Sequence, residues 1–231
     1  MNNNILLKGV SKFYENKKIK VLNNVNYSFQ KGKVYSITGP SGSGKSTLLN
    51  ILSLIDTPNI GSVKINNIET SNKSSSEKDE IRSEKIGIIY QDKNLLNDFT
   101  ALENIYLASL SKGNNKNKAI SLSKKLTSKL GLTKRENHFP NEMSGGEVQR
   151  AAICRAVVNE PEIILADEPT GNLDKNNSQQ VFKLLLGLIN NNRTIIYATH
   201  NTYFSNLADC KLELNDGKIK TINASNKRKK F

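Results

Sequence analysis

The stretch GPSGSGKST at residues 39–47 restricts the possible folds of this chain more than any other. It fits the pattern G-x-x-x-x-G-K-[ST], and it lies between VYSIT, a run typical of a buried strand, and TLLNIL, whose leucines have helical spacing. A glycine-rich turn of this kind presents backbone N–H groups at the start of a helix, where phosphates bind. The pattern therefore predicts a phosphate-binding loop in an α/β domain.

We expect every residue of this loop to lie against the phosphates of a nucleotide. The glycines let the backbone wrap around the phosphates, Lys45 supplies positive charge near the outer ones, and the Ser46 hydroxyl is a ligand for Mg²⁺. The predicted nucleotide-binding residues of the loop are Gly39, Pro40, Ser41, Gly42, Ser43, Gly44, Lys45, Ser46 and Thr47.

A second buried strand, EIILA at residues 162–166, ends directly before Asp167 and Glu168. Ligands bind at the carboxyl ends of parallel strands, so both carboxylates are expected near the phosphates. We expect Asp167 to hold Mg²⁺ through water and Glu168 to polarise the attacking water. Alone, such a pair is as often a helix N-cap with a solvated neighbour, but downstream of a phosphate loop it favours catalysis.

Two further predicted strands end in polar residues. TIIYAT is followed by His200, which we expect to reach the outermost phosphate, and IGIIY is followed by Gln91, whose amide would meet Mg²⁺ or water. Each has a simpler interpretation, because a lone histidine is more often structural and a glutamine is an ordinary polar strand end. The neighbouring motifs favour the catalytic interpretation.

Strands alternate with helical segments, which predicts a mainly parallel sheet covered on both faces, with an antiparallel strand group at the front. We expect residues 100–132 to be helical, a further helix to begin at Ser144, and a hairpin to turn at Asn215-Asp216-Gly217. The polar run NIETSNKSSSEKDE at 67–80 is expected to be a loop.

Composition points to an ordinary globular protein of 231 residues, 36% of them hydrophobic. No apolar run reaches the roughly 18 residues of a membrane span, and no secretion signal is visible, so we expect a cytoplasmic location. Cys154 and Cys210 have no paired spacing and are expected to be reduced packing residues.

The formal net charge of +13 is compatible with nucleic acid, an anionic membrane surface or a solvated lysine-rich exterior. Because the lysines are scattered among asparagines rather than grouped with aromatic residues, the third interpretation is favoured. We expect only the basic tail at 226–231 to be attracted to acidic lipid headgroups.

The stretch SGGEVQRAAICRAVV, followed closely by LADEPTGNLD, resembles the ATP-binding cassette family over nearly the whole chain. The resemblance implies a P-loop NTPase with a RecA-like core of mainly parallel sheet, an antiparallel β subdomain and a helical insertion, with ATP and Mg²⁺ as cofactors. The implied bounds within one domain, 1–231, are 1–91 and 159–225 for the core and about 92–158 for the helical subdomain.

The resemblance also implies roles for individual residues. Tyr14 matches the aromatic residue that stacks on adenine, Gln91 the loop that senses a membrane partner, and His200 the switch histidine. The nucleotide-contacting signature matches Ser144, Gly145, Gly146 and Glu147, with glutamate where many members have glutamine, and residues 171–174 match the D-loop, which ends at Asp174. The expected catalytic residues are Lys45, Gln91, Glu168 and His200, and the expected Mg²⁺ ligands are Ser46, Gln91 and Asp167.

In this family two cassettes dimerise head to tail, and each signature closes over ATP held by the other subunit. A glycine pair at a helix N-terminus suits an anion, and here it lies in the predicted helical insertion, away from its own phosphate loop. The resemblance therefore implies a homodimer in the ATP-bound state, with a single chain being a poor ATPase.

Within the family, ADEPTGNLD resembles the group of lipoprotein-releasing, macrolide-export, cell-division and bacitracin-export cassettes. IIYQDKNLLNDFTALENIYLA looks most like the lipoprotein-releasing members, although bacitracin-type cassettes share parts of it. That likeness implies a transport-coupled ATPase, peripheral on the cytoplasmic face of the bacterial inner membrane, with two integral membrane permease subunits. A groove near Gln91 to Leu102 would receive their coupling helix.

Two alternatives stay open: a peptide or drug exporter of the bacitracin or macrolide type and, more distantly, a soluble cassette protein acting on nucleic acid or the ribosome. The positive charge suits the second. Such proteins usually carry two cassettes in one chain, long coiled coils or zinc modules, none of which this sequence contains. We therefore expect no nucleic-acid partner.

Overall fold

This structure, a computed structural model, describes residues 3–14 and 19–224, so the basic tail lies outside the described residues. Its strands are β1 (Asn3–Tyr14), β2 (Ile19–Gln30), β3 (Val34–Thr38), β4 (Ile60–Ile65), β5 (Ile68–Glu69), β6 (Ile86–Ile89), β7 (Ile163–Asp167), β8 (Thr194–Ala198), β9 (Cys210–Asn215) and β10 (Lys218–Ala224). Its helices are α1 (Lys45–Leu52), α2 (Ser75–Lys85), α3 (Ala101–Ser111), α4 (Lys116–Lys129), α5 (Gly145–Val157), α6 (Lys175–Leu186) and α7 (Thr202–Ser205), and 3₁₀ turns lie at Thr133–Arg135 and Pro140–Glu142. Within the described ranges, no helix has the length and apolarity needed to cross a bilayer.

The strands form two sheets. β2, β1, β4 and β5 pair in that order into an antiparallel sheet, as predicted for the front of the chain. The second sheet has the order β10-β9-β3-β8-β7-β6, and it is parallel from β9 to β6. β10 joins it antiparallel through the predicted hairpin, so the expectation of a mainly parallel sheet is confirmed.

The six-stranded sheet separates two hydrophobic clusters. On one face, Leu165 and Ile196 pack with α1 and the antiparallel sheet. On the other face, Ile164 and Tyr197 pack with α5 and α6. Since successive side chains of a strand point to opposite faces, burial on both faces explains why β7 and β8 are continuous apolar runs rather than alternating ones.

The polar run at 67–80 is not a single loop, and that expectation was wrong. It contains β5 and the first turns of α2. The Ser74 hydroxyl accepts from the Glu77 N–H, and the Glu77 carboxylate accepts from the Ser74 N–H at 2.8 Å. This capping box supplies the partners that the first turn requires, so a helix forms although it buries only Ile81.

The expected helical segment 100–132 is divided into α3 and α4. The division falls at Gly113, whose φ of 88° is left-handed, and Asn115 caps α4 by accepting from the Lys118 N–H. α3 and α4 pack against each other and against α5. The helix expected from Ser144 is confirmed as α5, with Ser144 as its N-cap.

The order β3-β8-β7-β6 brings the carboxyl ends of these strands to one edge of the sheet. Ala198 of β8 pairs with Ile37 of β3 on one side and with Asp167 of β7 on the other. The three strands therefore end at the same level. Residues that follow them are neighbours in space although they are far apart in sequence.

Gly87→Ala tests the packing of α5 on β6. A Cβ at this position would lie 2.2 Å from the Ala156 carbonyl oxygen and 3.0 Å from the Pro161 ring. Because a helix backbone cannot move away locally, we expect the free energy of unfolding to fall by about 1–3 kcal/mol, measured by urea denaturation.

Gly113→Asn is the matched control for this substitution. A Cβ at Gly113 meets nothing within 4 Å, and asparagine tolerates a left-handed backbone. We expect the control to change stability much less. An equal loss in both variants would contradict the packing explanation.

Candidate active site

The phosphate loop follows β3, and its glycines are required by close backbone contacts. A Cβ at Gly39 would lie 2.2 Å from the Leu214 carbonyl oxygen, and one at Gly44 would lie 2.7 Å from Val21 Cγ1. Both glycines have positive φ, 150° and 99°. The loop therefore turns sharply between β3 and α1 in a space that a side chain would fill.

Polar groups of the loop fit an anionic ligand. Lys45 Nζ donates to the carbonyl oxygens of Gly39 and Pro40 at 3.0 and 2.9 Å, so the ammonium lies over the loop. The Ser43 hydroxyl is buried and has no hydrogen-bond partner among residues 3–14 and 19–224. Ser46 and Thr47 lie in the first turn of α1, where N–H groups lack helical partners. A phosphate group would supply acceptors for these donors.

Glu168 and His200 are in direct contact. The backbone N–H of His200 donates to Glu168 Oε1 at 2.8 Å, and the His200 Nδ1 lies 2.9 Å from the same oxygen. The Glu168 side chain is 12% exposed and that of His200 is 79% exposed. Glu168 also has a left-handed φ of 42°. The structure thus brings the two residues together as the strand order requires, and their catalytic roles stay predictions.

Asp167 and Gln91 stand at the ends of neighbouring strands. Asp167 is the last residue of β7, and Gln91 follows β6, which pairs with β7 in parallel. The Gln91 side chain packs against Gly171, since a Cβ at Gly171 would lie 3.5 Å from Gln91 Cγ. Asp167 and Gln91, two of the three predicted Mg²⁺ ligands, therefore lie at the same edge of the sheet as the phosphate loop.

Tyr14, the predicted adenine-stacking residue, is the last residue of β1 and is 41% exposed. Its hydroxyl donates to Asp56 Oδ2 at 3.1 Å, and Lys12 Nζ lies 5.2 Å from the centre of its ring. Lys12 also forms an ion pair with Asp56 at 2.5 Å. These contacts hold the ring at the surface, where a base can stack on it.

The signature segment forms the start of α5. The Ser144 hydroxyl caps the helix by accepting from the Glu147 N–H, and Glu147 Oε2 accepts from the Ser144 N–H at 2.8 Å. Glu147 Oε1 accepts from Arg135 Nε at 2.8 Å. The hydrogen bond from Arg135, together with those from Ser144, lowers the pKa of Glu147 to about 2. Glu147 is therefore a carboxylate at neutral pH.

The signature glycines pack against the D-loop and α6 of their own chain. A Cβ at Gly145 would lie 3.2 Å from Leu173, and one at Gly146 would lie 2.8 Å from the Asn177 side chain. Asp174 caps α6 by accepting from the Asn176 and Asn177 N–H groups, each at 3.0 Å, and these bonds lower its pKa. Both glycines thus have a packing role in addition to the predicted contact with nucleotide.

Three side chains near these motifs were not predicted from the sequence. Arg135 binds Glu147, as described above. Arg155 donates to the carbonyl oxygens of Lys93 and Asn94, just after Gln91. Asn104 is buried and donates to the carbonyl oxygens of residues 96, 99 and 100. Each of these side chains forms hydrogen bonds to a segment distant in sequence or to loop backbone. The periodicity of helices and strands therefore gives no signal for it.

Curated relatives carry names that agree with these motifs. The chain is 43% identical over 224 residues to the lipoprotein-releasing system ATP-binding protein LolD of Wigglesworthia glossinidia brevipalpis, over 95% of this chain and 98% of that protein. It is 44% identical over 223 residues to the protein of the same name from Rickettsia bellii (strain RML369-C), over 95% and 99%. The macrolide export ATP-binding/permease protein MacB of Mannheimia succiniciproducens is 41% identical over 201 residues, 87% of this chain and 31% of that protein.

Solved structures have the same fold. Two dimeric structures of the ATP-binding cassette MJ0796, one of them in a post-hydrolysis state bound to ADP and Pi, match with TM-scores of 0.87 and 0.86. Their identities are 36% and 37%, over 95% of this chain and 99% of each of those chains, which confirms the predicted P-loop NTPase fold of the cassette type. A family model described as ABC transporter matches residues 22–171. The chain therefore belongs to the ABC transporter family and is one of its ATP-hydrolysing cassettes.

Proposed function

We propose that this chain is the ATP-driven motor of a membrane complex that releases lipoproteins from the bacterial inner membrane. The observation that carries the proposal is the match to lipoprotein-releasing relatives, at 43% and 44% identity over 98% and 99% of their lengths. The segments after Gln91 and around the signature, which resemble the same group, support it.

In the proposed reaction, the phosphate loop binds ATP and Glu168 activates water. Lys45 exchanges its bonds to the loop carbonyls for bonds to phosphate oxygens. Glu168 accepts a proton from water as that water attacks the γ-phosphorus; the bond from the γ-phosphorus to the β–γ bridging oxygen breaks, and ADP and phosphate leave. His200, already bonded to Glu168, orients the carboxylate. Both contacts from His200 go to Oε1, so Oε2 is the oxygen that we assign to the water.

The proposed cofactor Mg²⁺ fits the oxygen donors of the site. Ser46 offers a hydroxyl, Asp167 a carboxylate and Gln91 an amide oxygen, and Mg²⁺ prefers oxygen ligands. The ion, when bound, neutralises charge on the phosphates. Asp167 and Gln91 follow the neighbouring strands β7 and β6, and the loop with Ser46 follows β3 at the same edge of the sheet, which supports this assignment.

We propose further that the complete site needs two copies of this chain. Ser144 and the signature glycines lie at the N-terminus of α5, and the glycines pack on the D-loop and on α6 of their own chain. An N-terminal helical turn favours an anion, and a second chain could supply it. The solved structures of the similar cassette are dimeric, which supports a homodimer, and a head-to-tail arrangement is our proposal.

The proposed docking site for the membrane partner is the groove between α2, β6, α3 and α5. It has a volume of about 800 Å³, and Arg82, Tyr90 and Arg155 are among its lining residues. Leu96 and Phe99, in the adjoining segment, are 51% and 38% exposed. A coupling helix of a permease subunit would cover these apolar side chains, which would place the chain peripherally on the cytoplasmic face of the inner membrane.

A macrolide-type exporter is the second candidate, because the relative of that name is 41% identical over the matched residues. Its match covers 31% of that relative, against 98% of the lipoprotein-releasing one. The lipoprotein-releasing relative therefore supports the function of this chain better than the macrolide exporter does.

Glu168→Gln tests the assignment of the base. The amide cannot accept a proton from water, so we expect ATP turnover to fall about 100-fold or more while ATP binding persists. The variant should also accumulate as an ATP-bound dimer in size-exclusion chromatography. Glu160→Gln, which neutralises an exposed carboxylate, is the control. Turnover by Glu168→Gln near the rate of this control would remove Glu168 from the mechanism.

Mixing two inactive variants tests the shared site. Ser144→Arg retains a functional phosphate loop and Lys45→Ala retains a functional signature, so a mixed dimer has one complete site. With random pairing we expect the mixture to recover about a quarter of the unmodified ATPase rate. If the mixture stays as inactive as each variant alone, the site is not shared between chains.

Co-purification identifies the membrane partner. After mild detergent extraction, we expect two related integral membrane subunits with large periplasmic parts to accompany the chain. Replacement of Leu96 and Phe99 by serine should release both subunits without changing the ATPase rate of the free cassette. A single, larger permease in their place would favour an exporter, and no membrane partner would contradict the proposal.

A further inference from the structure

One residue of the signature carries a negative charge. Glu147 lies in the first turn of α5, three residues after Ser144. The N–H groups of that turn attract anions, so a carboxylate there stabilises the helix. The same carboxylate puts a negative charge beside the place proposed for the triphosphate of the partner chain.

Arg135 contacts this carboxylate from outside the helix. Its Nε donates to Glu147 Oε1 at 2.8 Å, while Glu147 Oε2 accepts from the N–H and the hydroxyl of Ser144 at 2.8 and 2.9 Å. The two oxygens of one carboxylate thus link the arginine to the signature serine. Arg135 Nη1 also lies 3.3 Å from His138 Nε2, which limits the rotation of the guanidinium.

Other charged groups near this turn are directed elsewhere. Arg150, one turn further along α5, borders a groove with Lys183 and Leu184. The Glu142 carboxylate accepts from the Phe139 N–H and caps a 3₁₀ turn. Among the described residues, Arg135 is the cation that forms an ion pair with Glu147.

This ion pair is too exposed to matter much for folding. The side chains of Arg135 and Glu147 are 41% and 18% exposed, and pairs in such positions contribute little to stability. The ion pair matters more for the charge near the signature. Together Arg135 and Glu147 have no net charge, whereas the Glu147 carboxylate alone has one negative charge.

We propose that Arg135 is a positioning residue for the signature, which neutralises Glu147 and fixes its carboxylate so that Ser144 can face the nucleotide of the partner chain. The inference rests on the shared site proposed above. Without Arg135, the charge of Glu147 repels the triphosphate, and this repulsion opposes ATP-driven closure of the dimer.

A double-mutant cycle tests this role in the Glu168→Gln background, where the dimer accumulates. Dimerisation is titrated with ATP and followed by light scattering. Arg135→Gln is expected to raise the ATP concentration for half-maximal dimerisation about tenfold. Made together with Glu147→Gln, the same change is expected to shift that concentration by less than about twofold relative to Glu147→Gln alone.

Lys134→Gln is the matched control, because it removes one positive charge from the neighbouring, exposed residue. We expect it to have little effect, and Arg135→Lys, which keeps the charge but loses the guanidinium geometry, to recover part of the loss. Melting temperatures of all variants should agree closely, which separates the effect on dimerisation from damage to the fold.

The proposal is overturned if Arg135→Gln has the same effect with and without Glu147→Gln, if it has no effect in either background, or if Lys134→Gln acts equally. Ser144→Arg separates this failure from that of the shared site. Undisturbed dimerisation of Ser144→Arg would refute the shared site itself. Loss of dimerisation by Ser144→Arg, but not by Arg135→Gln, would refute only the role of Arg135.

Discussion

The parallel pairing of β3, β8 and β7 is the interaction on which the rest of the site depends. Ala198 pairs with both Ile37 and Asp167, so backbone hydrogen bonds hold three strand ends level with one another. The phosphate loop, Glu168 and His200 each follow one of these ends. Their distances are therefore set by strand register rather than by side-chain contacts, and a one-residue slip would turn every side chain of a strand to the other face.

Close backbone contacts then connect this sheet to its surroundings. A Cβ could not fit at Gly39 against β9, at Gly87 against α5, or at Gly146 against the Asn177 side chain without displacing a neighbour. The first contact fixes the phosphate loop, the second fixes α5 on β6, and the third fixes the signature on α6. α5 is therefore in close contact with the sheet, with Leu173 of the D-loop and with α6.

Several polar groups of the site are already bonded within the protein. Lys45 donates to loop carbonyls, Glu168 accepts from His200, and Ser144 donates to Glu147. Such bonds hold each side chain near the position in which a nucleotide would meet it, which reduces reorganisation on binding. They also compete with the nucleotide, so the affinity for ATP reflects an exchange of partners rather than the gain of new bonds alone.

The sequence by itself determined the phosphate loop, most of the order of strands and helices, the cap at Ser144 and the motifs at Asp167, Glu168 and His200, because each depends on residues that are close in the chain. It missed β5 and the division between α3 and α4. It also missed the start of α2, since the capping box of Ser74 and Glu77 outweighs a polar composition there. Only the tertiary structure decided that β8 lies between β3 and β7, that Glu168 meets His200, and that Arg135 reaches Glu147. Those contacts arise from sheet pairing and helix packing between distant segments, which leave no periodic or local pattern in the sequence.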